Sequence, residues 1–406
     1  MRIAGSSEQT LPSRAAHLRQ ANARHLLRLI QSHHPCSKAD LVRYSGLSAP
    51  TIAGCVTLLI KLGLVEAIGD GQSNGGRPPG LLRFNAKHGY VAAADVGGTR
   101  LRMMLADLSG TSVAQWSHVL RDSQKTPSGV CMLVRQGLQQ MCNASKIPAS
   151  GVLHLTAGAP GITDANTGIV LSAPNLVDWN DVPFRSLLER ELRIPVRVEN
   201  DTNLAAVGEH LCGAATEADC FVFLAIGTGV GAGVFINGHL HHGAHWSAGE
   251  VGYFGIGGRP RQPSKMREAG QFESIVGGSG IEAHWKKLIS GGRLKPSPEQ
   301  MRLQANEILD LSAEGNRSAM EVATKTASLI ADAVADISLL LNPEVVILGG
   351  GVGSHPELCR LIRSQIGRHE LASRLVINSS ALGPEAQLRG AISTSLQAMH
   401  TLMLPK

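Results

Sequence analysis

The 406-residue chain has little of what marks secreted, membrane-spanning or disulfide-bonded proteins. Its start, MRIAGSSEQT, contains no apolar run of the kind that forms the core of a signal peptide. The longest uncharged stretches, such as 221–249, are interrupted by glycines and an Asn-Gly pair, so none of them predicts a membrane helix. The seven cysteines are scattered, odd in number and without CxxC spacing, which is typical of reduced thiols. We therefore expect a cytoplasmic protein without a membrane partner.

Charge is also scarce, and its positive excess lies in one place. Charged residues make up 17% of the chain and hydrophobic residues 43%, an ordinary globular composition, and the length predicts two or three domains. Residues 1–85 hold ten Lys or Arg against four Asp or Glu, whereas the rest of the chain holds 28 of each, so the net charge of +6 belongs to the first fifth. A basic segment on a neutral body is typical of a nucleic-acid-binding module, with a solvated basic face as the alternative.

The basic segment has the pattern of a winged helix-turn-helix. Apolar residues recur at helical spacing over 14–31, and two further helices are predicted to begin at the caps Ser37 and Ser48. Two short β-type runs around a polar turn follow and predict the wing. We assign residues 14–85 to a DNA-binding domain. A winged helix that binds a protein partner instead of DNA is the alternative.

The third helix of this domain is expected to enter the major groove with its N-terminal turn first. The exposed residues of that turn are small, so none of them can form a bidentate contact with a base. Basic side chains elsewhere in the domain must then hold the phosphates, among them Arg24 and Arg28. The predicted DNA-contacting residues are Lys38, Arg43, Ser48, Pro50, Thr51, Lys61 and Arg77.

Two similar glycine-containing loops organise the rest of the chain. The apolar strand 221–226 runs into Gly-Thr-Gly-Val-Gly before a second strand that ends at the hairpin turn 237–238, and the strand 90–94 runs into Asp-Val-Gly-Gly-Thr before another strand. Glycine lets backbone N–H groups approach an anion, so each loop fits a phosphate cradle, with a tight turn as the plain alternative. No helix follows the glycines directly and no Gly-Lys-Ser/Thr is present, which argues against Rossmann and Walker loops. The repetition predicts two similar lobes with a nucleotide between their loops. The loop residues are Asp95, Gly97, Gly98, Thr99, Gly227, Thr228, Gly229 and Gly231.

These motifs, in this order, resemble the ROK family of repressors and sugar kinases. The matching segments are DVGGT at 95–99, ENDTN at 199–203, IGTGVGAG at 226–233, AGEVG at 248–252 and LGGGV at 348–352. The resemblance implies that the winged helix-turn-helix is followed by a two-lobed α/β, actin-like (ribonuclease H-like) fold of the sugar-kinase ATPase type, with a sugar between the lobes. We expect a first lobe of 86–205 plus 385–406 and a second lobe of 206–384, with Gly349 and Gly350 on the nucleotide side.

The same resemblance implies which side chains hold the sugar. They are Asn175, Asn200, Asp201, Glu250, Tyr253 and Glu273. In the family's kinases the residue that matches Asp201 accepts the proton of a sugar hydroxyl, and Asn200 is expected to bond a second hydroxyl. An aspartate at the start of a helix can also serve only as a cap, which is the alternative for Asp201.

The chain departs from the family pattern at the family's zinc site. Tyr253 stands in place of the usual histidine, and Ser264, Met266 and Gln271 stand in place of three cysteines. Since zinc prefers four thiolate or imidazole ligands in a closed site, we predict no structural zinc. A nearby histidine cluster fits no standard zinc spacing, and metal binding there is kept as an alternative. Its members are His239, His241, His242 and His245.

The combined interpretation is a sugar-responsive transcriptional regulator, a repressor that binds operator DNA as a homodimer or tetramer and senses a sugar or sugar phosphate. A ROK sugar kinase with an accessory DNA-binding module is the alternative, because Asp95, which could orient Mg²⁺, and the potential base Asp201 are both present. Arg100 stands where the family commonly has lysine, and the zinc-bearing loop is altered. We therefore expect no required cofactor and no catalytic residue, with any binding of ATP and Mg²⁺ vestigial.

Overall fold

A computed structural model of the chain describes residues 14–70, 80–174, 176–255, 268–291 and 296–402. Four residues of the sequence interpretation lie outside these ranges. They are Arg77 on the DNA side, Asn175 on the sugar side, and Ser264 and Met266 at the expected zinc positions.

The described part of the chain contains both α-helices and β-strands. The helices are α1 Arg14–His33, α2 Lys38–Ser45, α3 Ala49–Lys61, α4 Pro127–Ala144, α5 Phe184–Leu192, α6 Asp201–Cys212, α7 Glu273–Val276, α8 Gly278–Ser290, α9 Ala305–Ala313, α10 Arg317–Leu341, α11 Pro356–Ile366 and α12 Ala386–Leu402. The strands are β1 Cys36–Ser37, β2 Val65–Asp70, β3 Gly80–Phe84, β4 Tyr90–Val96, β5 Arg100–Asp107, β6 Ser112–Val119, β7 Val152–Ala159, β8 Ile162–Asp164, β9 Ile169–Ser172, β10 Asn180–Val182, β11 Val196–Asn200, β12 Phe221–Ile226, β13 Val230–Ile236, β14 His239–Leu240, β15 Val345–Gly349 and β16 Val376–Ser379. None of these described helices is long and apolar enough to cross a membrane.

The first three helices and the sheet β1-β3-β2 form the predicted winged helix-turn-helix. Ser37 caps α2 through two reciprocal hydrogen bonds: the N–H of Asp40 donates to Ser37 Oγ at 3.2 Å, and the N–H of Ser37 donates to Asp40 Oδ2 at 2.8 Å. Gly46 ends α2 in the left-handed conformation with φ 68°, which glycine adopts without a Cβ penalty. Ser48 caps α3, and Pro50 lies in the first turn of that helix.

Two five-stranded sheets of the same topology form the body of the protein. In the first sheet, β6, β5 and β4 form an antiparallel meander, and β7 and β11 extend it in parallel. In the second sheet, β14, β13 and β12 form the meander, and β15 and β16 extend it in parallel. The hairpins β4–β5 and β12–β13 carry the two glycine loops. The prediction of two similar lobes is therefore confirmed.

Helices α6 and α12 cross between the two sheets. Helix α6 packs against β12 and β13, helix α12 packs against β4 and β7, and the two helices pack against each other. Glycines make the crossing close: a Cβ on Gly390 would lie 1.8 Å from the carbonyl oxygen of Leu204, and a Cβ on Gly208 would lie 2.4 Å from that of Ala386. The final helix thus returns to the first lobe, and the boundary drawn after residue 205 falls inside α6.

The core of the winged helix is continuous with the core of the first lobe. Leu26, Ile52 and Phe84 of the winged helix belong to the same buried cluster as Met104 of β5 and Ile392 of α12. Side chains in one apolar cluster are in van der Waals contact through their neighbours, so the DNA-binding module and the two-lobed body form one packed unit.

Candidate functional site

The junction of β11 and α6 carries two residues of the predicted sugar site. Asn200 ends β11 and caps α6: its Oδ1 accepts from the N–H of Asn203 at 2.9 Å, and its Nδ2 donates to the carbonyl oxygen of Gly161 at 2.8 Å. Asp201 is then the first residue of α6. The capping role considered for Asp201 is wrong, because Asn200 fills it. The two hydrogen bonds of Asn200 leave its Oδ1 a second lone pair for a sugar hydroxyl.

Asp201 is oriented by the residue that follows it. Its Oδ1 accepts from the N–H of Thr202 at 2.7 Å and from the hydroxyl of Thr202 at 3.3 Å. Burial, followed by the charge of Asp95, raises the pKa of Asp201 to about 7. A carboxyl group that is partly ionised near neutral pH can accept a hydrogen bond from a sugar hydroxyl or donate one to it.

Two glutamates of the second lobe complete an acidic wall, which we define as Asp201, Glu250 and Glu273. Glu250 follows β14, and burial raises its pKa to about 7, with further contributions from the charges of Asp201 and Glu273. Glu273 begins α7, and its Oε2 accepts from the N–H of Val230 at 2.8 Å. Burial raises the pKa of Glu273 although that hydrogen bond lowers it. Since the charges of Asp201 and Glu273 both contribute to the raised pKa of Glu250, the fold brings each of them near Glu250.

Tyr253 lies at the same wall and is partly buried. Its hydroxyl donates to the carbonyl oxygen of Glu268 at 3.1 Å. Burial raises the pKa of Tyr253, and the charges of Glu250 and Glu273 raise it too, which locates the phenol near both glutamates. The fold thus gathers all the predicted sugar residues that it describes; Asn175 lies outside the described ranges.

The two glycine loops of the nucleotide side are tight bends within hairpins. In the first, the N–H of Gly97 donates to the carbonyl oxygen of Arg100 at 2.9 Å. In the second, the N–H of Gly227 donates to the carbonyl oxygen of Gly229, also at 2.9 Å. Both loops join antiparallel strands, so the interpretation of each as a plain tight turn is compatible with the structure. Their role as phosphate cradles stays a prediction.

The third glycine segment, which contains Gly349 and Gly350, lies against the second of these bends. Gly350 has φ 82°, and a Cβ there would lie 2.5 Å from the carbonyl oxygen of Ile226. That oxygen also accepts from the N–H of Val352 at 2.9 Å. The end of β12 and the end of β15 therefore meet, and the two loops predicted to face a nucleotide from the second lobe are neighbours.

Arg102 is a site residue that the sequence interpretation missed. Its Nε and Nη2 donate to Oδ2 of Asp95 at 2.9 and 2.5 Å, and its Nη1 donates to the carbonyl oxygen of Pro384. Burial raises the pKa of Asp95, and the guanidinium of Arg102 opposes that rise. In the β4–β5 hairpin, Asp95 lies directly opposite Arg102. Counting residue pairs outward from the glycine turn in the sequence would therefore have predicted this contact. Any cation at Asp95 must compete with this guanidinium.

The N-terminal turn of α3 gathers three of the predicted DNA-contacting residues. Ser48 and Pro50 are exposed there, and the Ser48 hydroxyl lies 2.9 Å from the hydroxyl of Thr51. Lys61 is exposed at the other end of the same helix. The length of α3 separates the two ends by roughly 18 Å at the usual rise per residue. Lys61 is therefore too far from Ser48 for the two residues to contact the same phosphate.

Two further predicted DNA contacts lie on α2. Lys38 and Arg43 are both exposed, and Arg43 forms an ion pair with Asp40 of the same helix. Because that pair is open to solvent, its free energy is small and phosphate can replace the carboxylate as partner. Arg77 of the wing lies outside the described residues.

The histidine cluster does not form a metal site in the described structure. His239 contacts the carbonyl oxygen of Asn237 at 2.7 Å, whereas His242 contacts Glu199 at 2.9 Å. Within the described ranges, no group of three or more His, Cys, Asp or Glu residues could hold a metal ion. The absence of structural zinc stays a prediction, since Ser264 and Met266 are not among the described residues.

Comparison with known proteins gives the relatives of this chain. The model of the ROK family matches residues 91–397. The xylose repressor of Bacillus subtilis (strain 168) is 28% identical to this chain over 384 residues, which cover 93% of this chain and 95% of that protein. The glucokinase of Thermotoga maritima is 28% identical over 322 residues, which cover 74% of this chain and 98% of that protein.

Solved structures match the same architecture. A ROK family transcriptional regulator, a homolog of the E. coli MLC protein, matches with a TM-score of 0.76 and 23% identity over 96% of this chain and 98% of that one. A ROK family glucokinase from Streptomyces griseus, in complex with glucose and AMPPNP, matches with a TM-score of 0.65 and 25% identity over 76% of this chain and 100% of that one. With a family match over residues 91–397 and the predicted motifs in order, this chain belongs to the ROK family.

Proposed function

We propose that this protein is a transcriptional repressor whose affinity for operator DNA changes when a sugar binds between its two lobes. The observation that carries the proposal is the apolar core that continues from the winged helix into β5 and α12. Through that core, a change in the arrangement of the lobes can bias the DNA-binding helices by packed side chains. Xylose repressors that are 28% identical to this chain over 93% and 94% of its length support the proposal.

The DNA-binding surface combines the first turn of α3 with the lysines around it. Ser48 and Thr51 present hydroxyl groups at that turn, and the exposed Lys38 and Lys61 supply positive charge for phosphates. A helix-turn-helix homodimer reads two half-sites roughly 34 Å apart, or a multiple of that spacing. We therefore propose a homodimer on a palindromic operator, with a tetramer as the alternative.

The acidic wall suits a neutral sugar better than a sugar phosphate. Asp201 and Glu250 titrate near neutral pH, so each can accept from or donate to a hydroxyl group. A phosphate beside these acids would meet repulsion from every ionised carboxylate. Because two relatives that span nearly the whole chain are named xylose repressors, a pentose is the first sugar to test.

The proposal is tested with the full-length protein in two steps. The protein first selects duplexes from a random-sequence pool, and fluorescence anisotropy then measures the affinity of a selected duplex with xylose, glucose, N-acetylglucosamine and their phosphates. At least one neutral sugar should change the apparent Kd by roughly fivefold or more, the lower range of allosteric coupling. Failure to select any duplex, or an affinity that no sugar alters, would contradict the proposal.

A sugar kinase is the second candidate, and one observation favours it: the pKa of about 7 for Asp201 suits a general base at neutral pH. Arg102 argues against it, because its guanidinium places a positive charge and two hydrogen bonds on Oδ2 of Asp95, the carboxylate that would orient Mg²⁺. An ADP-release assay with the same sugars should show no turnover. A rate above about 1 s⁻¹ that the Asp201→Asn substitution abolishes would establish the kinase instead.

A further inference from the structure

One histidine of the cluster, His242, reaches from the second lobe to the first. His242 follows β14, the edge strand of the second sheet, and its Nε2 lies 2.9 Å from Oε2 of Glu199. Glu199 belongs to β11, the edge strand of the first sheet, and its side chain is only 2% exposed. A direct contact between a buried carboxylate and an imidazole therefore links the edges of the two lobes beside the proposed sugar site.

On the first lobe, Glu199 organises the turn that carries Asp201. Its Oε1 accepts from the N–H of Asn200 at 2.9 Å and from Nδ2 of Asn203 at 3.0 Å. The guanidinium of Arg197 lies 3.9 Å from the other oxygen, beyond hydrogen-bond distance. The imidazole of His242 is thus the hydrogen-bonding partner of Oε2 at this buried carboxylate, with Nε2–H as the donor.

On the second lobe, His242 is tied to the loop that carries Glu250. The carbonyl oxygen of His242 accepts from the N–H of Ala248 at 3.1 Å, and its ring packs edge-on against Trp246 with centroids 5.1 Å apart. The carbonyl oxygen of Gly249 accepts from the N–H of Ala232 at 2.7 Å, which fixes the end of the loop to β13. A displacement of His242 would therefore move the backbone that ends at Glu250.

We propose that the His242–Glu199 contact is an interlobe latch that positions Asp201 and Glu250 relative to each other for the sugar. It rests on the proposed function for the identity of the ligand, although the latch itself can be tested without one. His242 and Glu199 are positioning residues: they act through the segments that bear the acidic wall. The chain offers a matched control, because His241 is adjacent, exposed and outside the contact.

The first experiment measures hydrogen exchange of the full-length protein without sugar. His242→Ala should increase amide exchange in both 241–250 and 199–203, because each segment loses its link to the other lobe. His242→Gln should restore protection, since the glutamine amide can place an N–H donor near the position of Nε2. His241→Ala should match the wild type. If His242→Ala left exchange in 199–203 unchanged, or if His242→Gln behaved like His242→Ala, the latch would be refuted.

The second experiment repeats the sugar titration of the selected duplex. His242→Ala should require roughly tenfold more sugar for half-maximal response, the loss expected for one hydrogen bond to a charged group. His242→Gln should recover most of the response. Glu199→Gln combined with His242→Ala should be no worse than the more severe single variant. Equal responses of the His242→Ala and His241→Ala variants would overturn the positioning role.

The two experiments distinguish failure of the latch from failure of the proposed function. If the wild-type protein responds to no sugar, the proposed function fails, and the exchange measurement still decides whether the latch exists. If the wild type responds and the exchange pattern of His242→Ala is normal, the sugar site stands and the latch is wrong.

Discussion

At the residue scale, the proposed sugar site depends on carboxyl groups whose ionisation is shifted by burial. The pKa of Asp201 rises from 3.8 to about 7 in the folded protein. Below the lower value both the folded and the unfolded chain are protonated at this residue. Between the two values the unfolded chain ionises first, so the free energy of unfolding falls as pH rises, and above about 7 the loss stays constant.

Asp201→Asn should therefore change stability in a pH-dependent way. Asparagine keeps an oxygen that accepts from the N–H of Thr202, but it cannot ionise. The free energy of unfolding of the variant therefore does not fall with rising pH as that of the wild type does. The Tm of the variant minus that of the wild type should be larger at about pH 8 than at about pH 5. Asp336→Asn, on an exposed position of α10, is the control. If this difference in Tm became smaller toward alkaline pH, the pKa of Asp201 would not be raised by burial.

Structural zinc is a second question at this scale. By the resemblance to the family pattern, we expect Tyr253 in place of a zinc-binding histidine and Gln271 in place of a zinc-binding cysteine. Neither a phenol nor an amide is a usual zinc ligand, so the protein purified without chelator should contain no stoichiometric metal. Elemental analysis by mass spectrometry measures this directly. One zinc per chain that survives dialysis would show that other residues supply the ligands.

Some residue contacts could be predicted from the sequence, and others could not. The motifs indicated Asp201 and Glu250 because each lies in a short pattern that the family shares. Arg102 lies opposite Asp95 across one hairpin, so its partner follows from strand register alone. Glu199 and His242 are 43 positions apart and belong to different sheets, and nothing local in the sequence brings them together.

At the element scale, the crossing of α6 and α12 sets how closely the two lobes approach. The crossing depends on Gly208 and Gly390, where the backbones of the helices touch. The apolar runs and the hairpin turn at Asn237-Gly238 were predictable, since both turn residues have positive φ, at 53° and 71°. The sequence also placed a helix start near Asp201, but the structure puts the cap one residue earlier, at Asn200.

Gly390→Ala tests the close crossing. The new Cβ would lie 1.8 Å from the carbonyl oxygen of Leu204, so one helix must shift and the contact with its sheet must loosen. We expect a loss of about 2 kcal/mol or more in the free energy of unfolding, measured by urea titration. Gly367→Ala is the matched control, because its nearest heavy atom would be 3.8 Å away. Equal stability of the two variants would mean that the crossing is looser than the structure indicates.

At the scale of the whole molecule, a basic DNA-binding module is attached to a body that is neutral by formal charge. The net positive charge of the first 85 residues could be counted from the sequence. It predicts that binding to DNA weakens as the salt concentration rises, because salt competes with contacts to phosphate. The continuous core between the winged helix and the first lobe could not be predicted from the sequence, because it depends on where α12 packs in the folded chain. That core joins the predicted DNA-binding helices to the first lobe in one packed unit.

Lys38→Ala tests the electrostatic part of this account. The logarithm of the operator association constant should fall with the logarithm of salt concentration by a slope of about −0.9 per phosphate contact. Loss of one contact should reduce the magnitude of that slope by about 1 per monomer and weaken binding equally for all duplexes. Lys325→Ala, exposed on α10 of the second lobe, should leave the slope unchanged. Identical slopes for both variants would remove Lys38 from the interface.

The central claim is that sugar bound at the acidic wall changes the affinity of the winged helix for DNA. A single anisotropy experiment tests it: operator titrations of the wild type and of Asp201→Asn, each with and without the sugar that acts on the wild type. The account predicts equal operator affinity of the two proteins without sugar, and a shift with sugar in the wild type alone, since a ligand biases an equilibrium only through unequal affinity for its two states. A full shift in Asp201→Asn at the same sugar concentration would contradict the account.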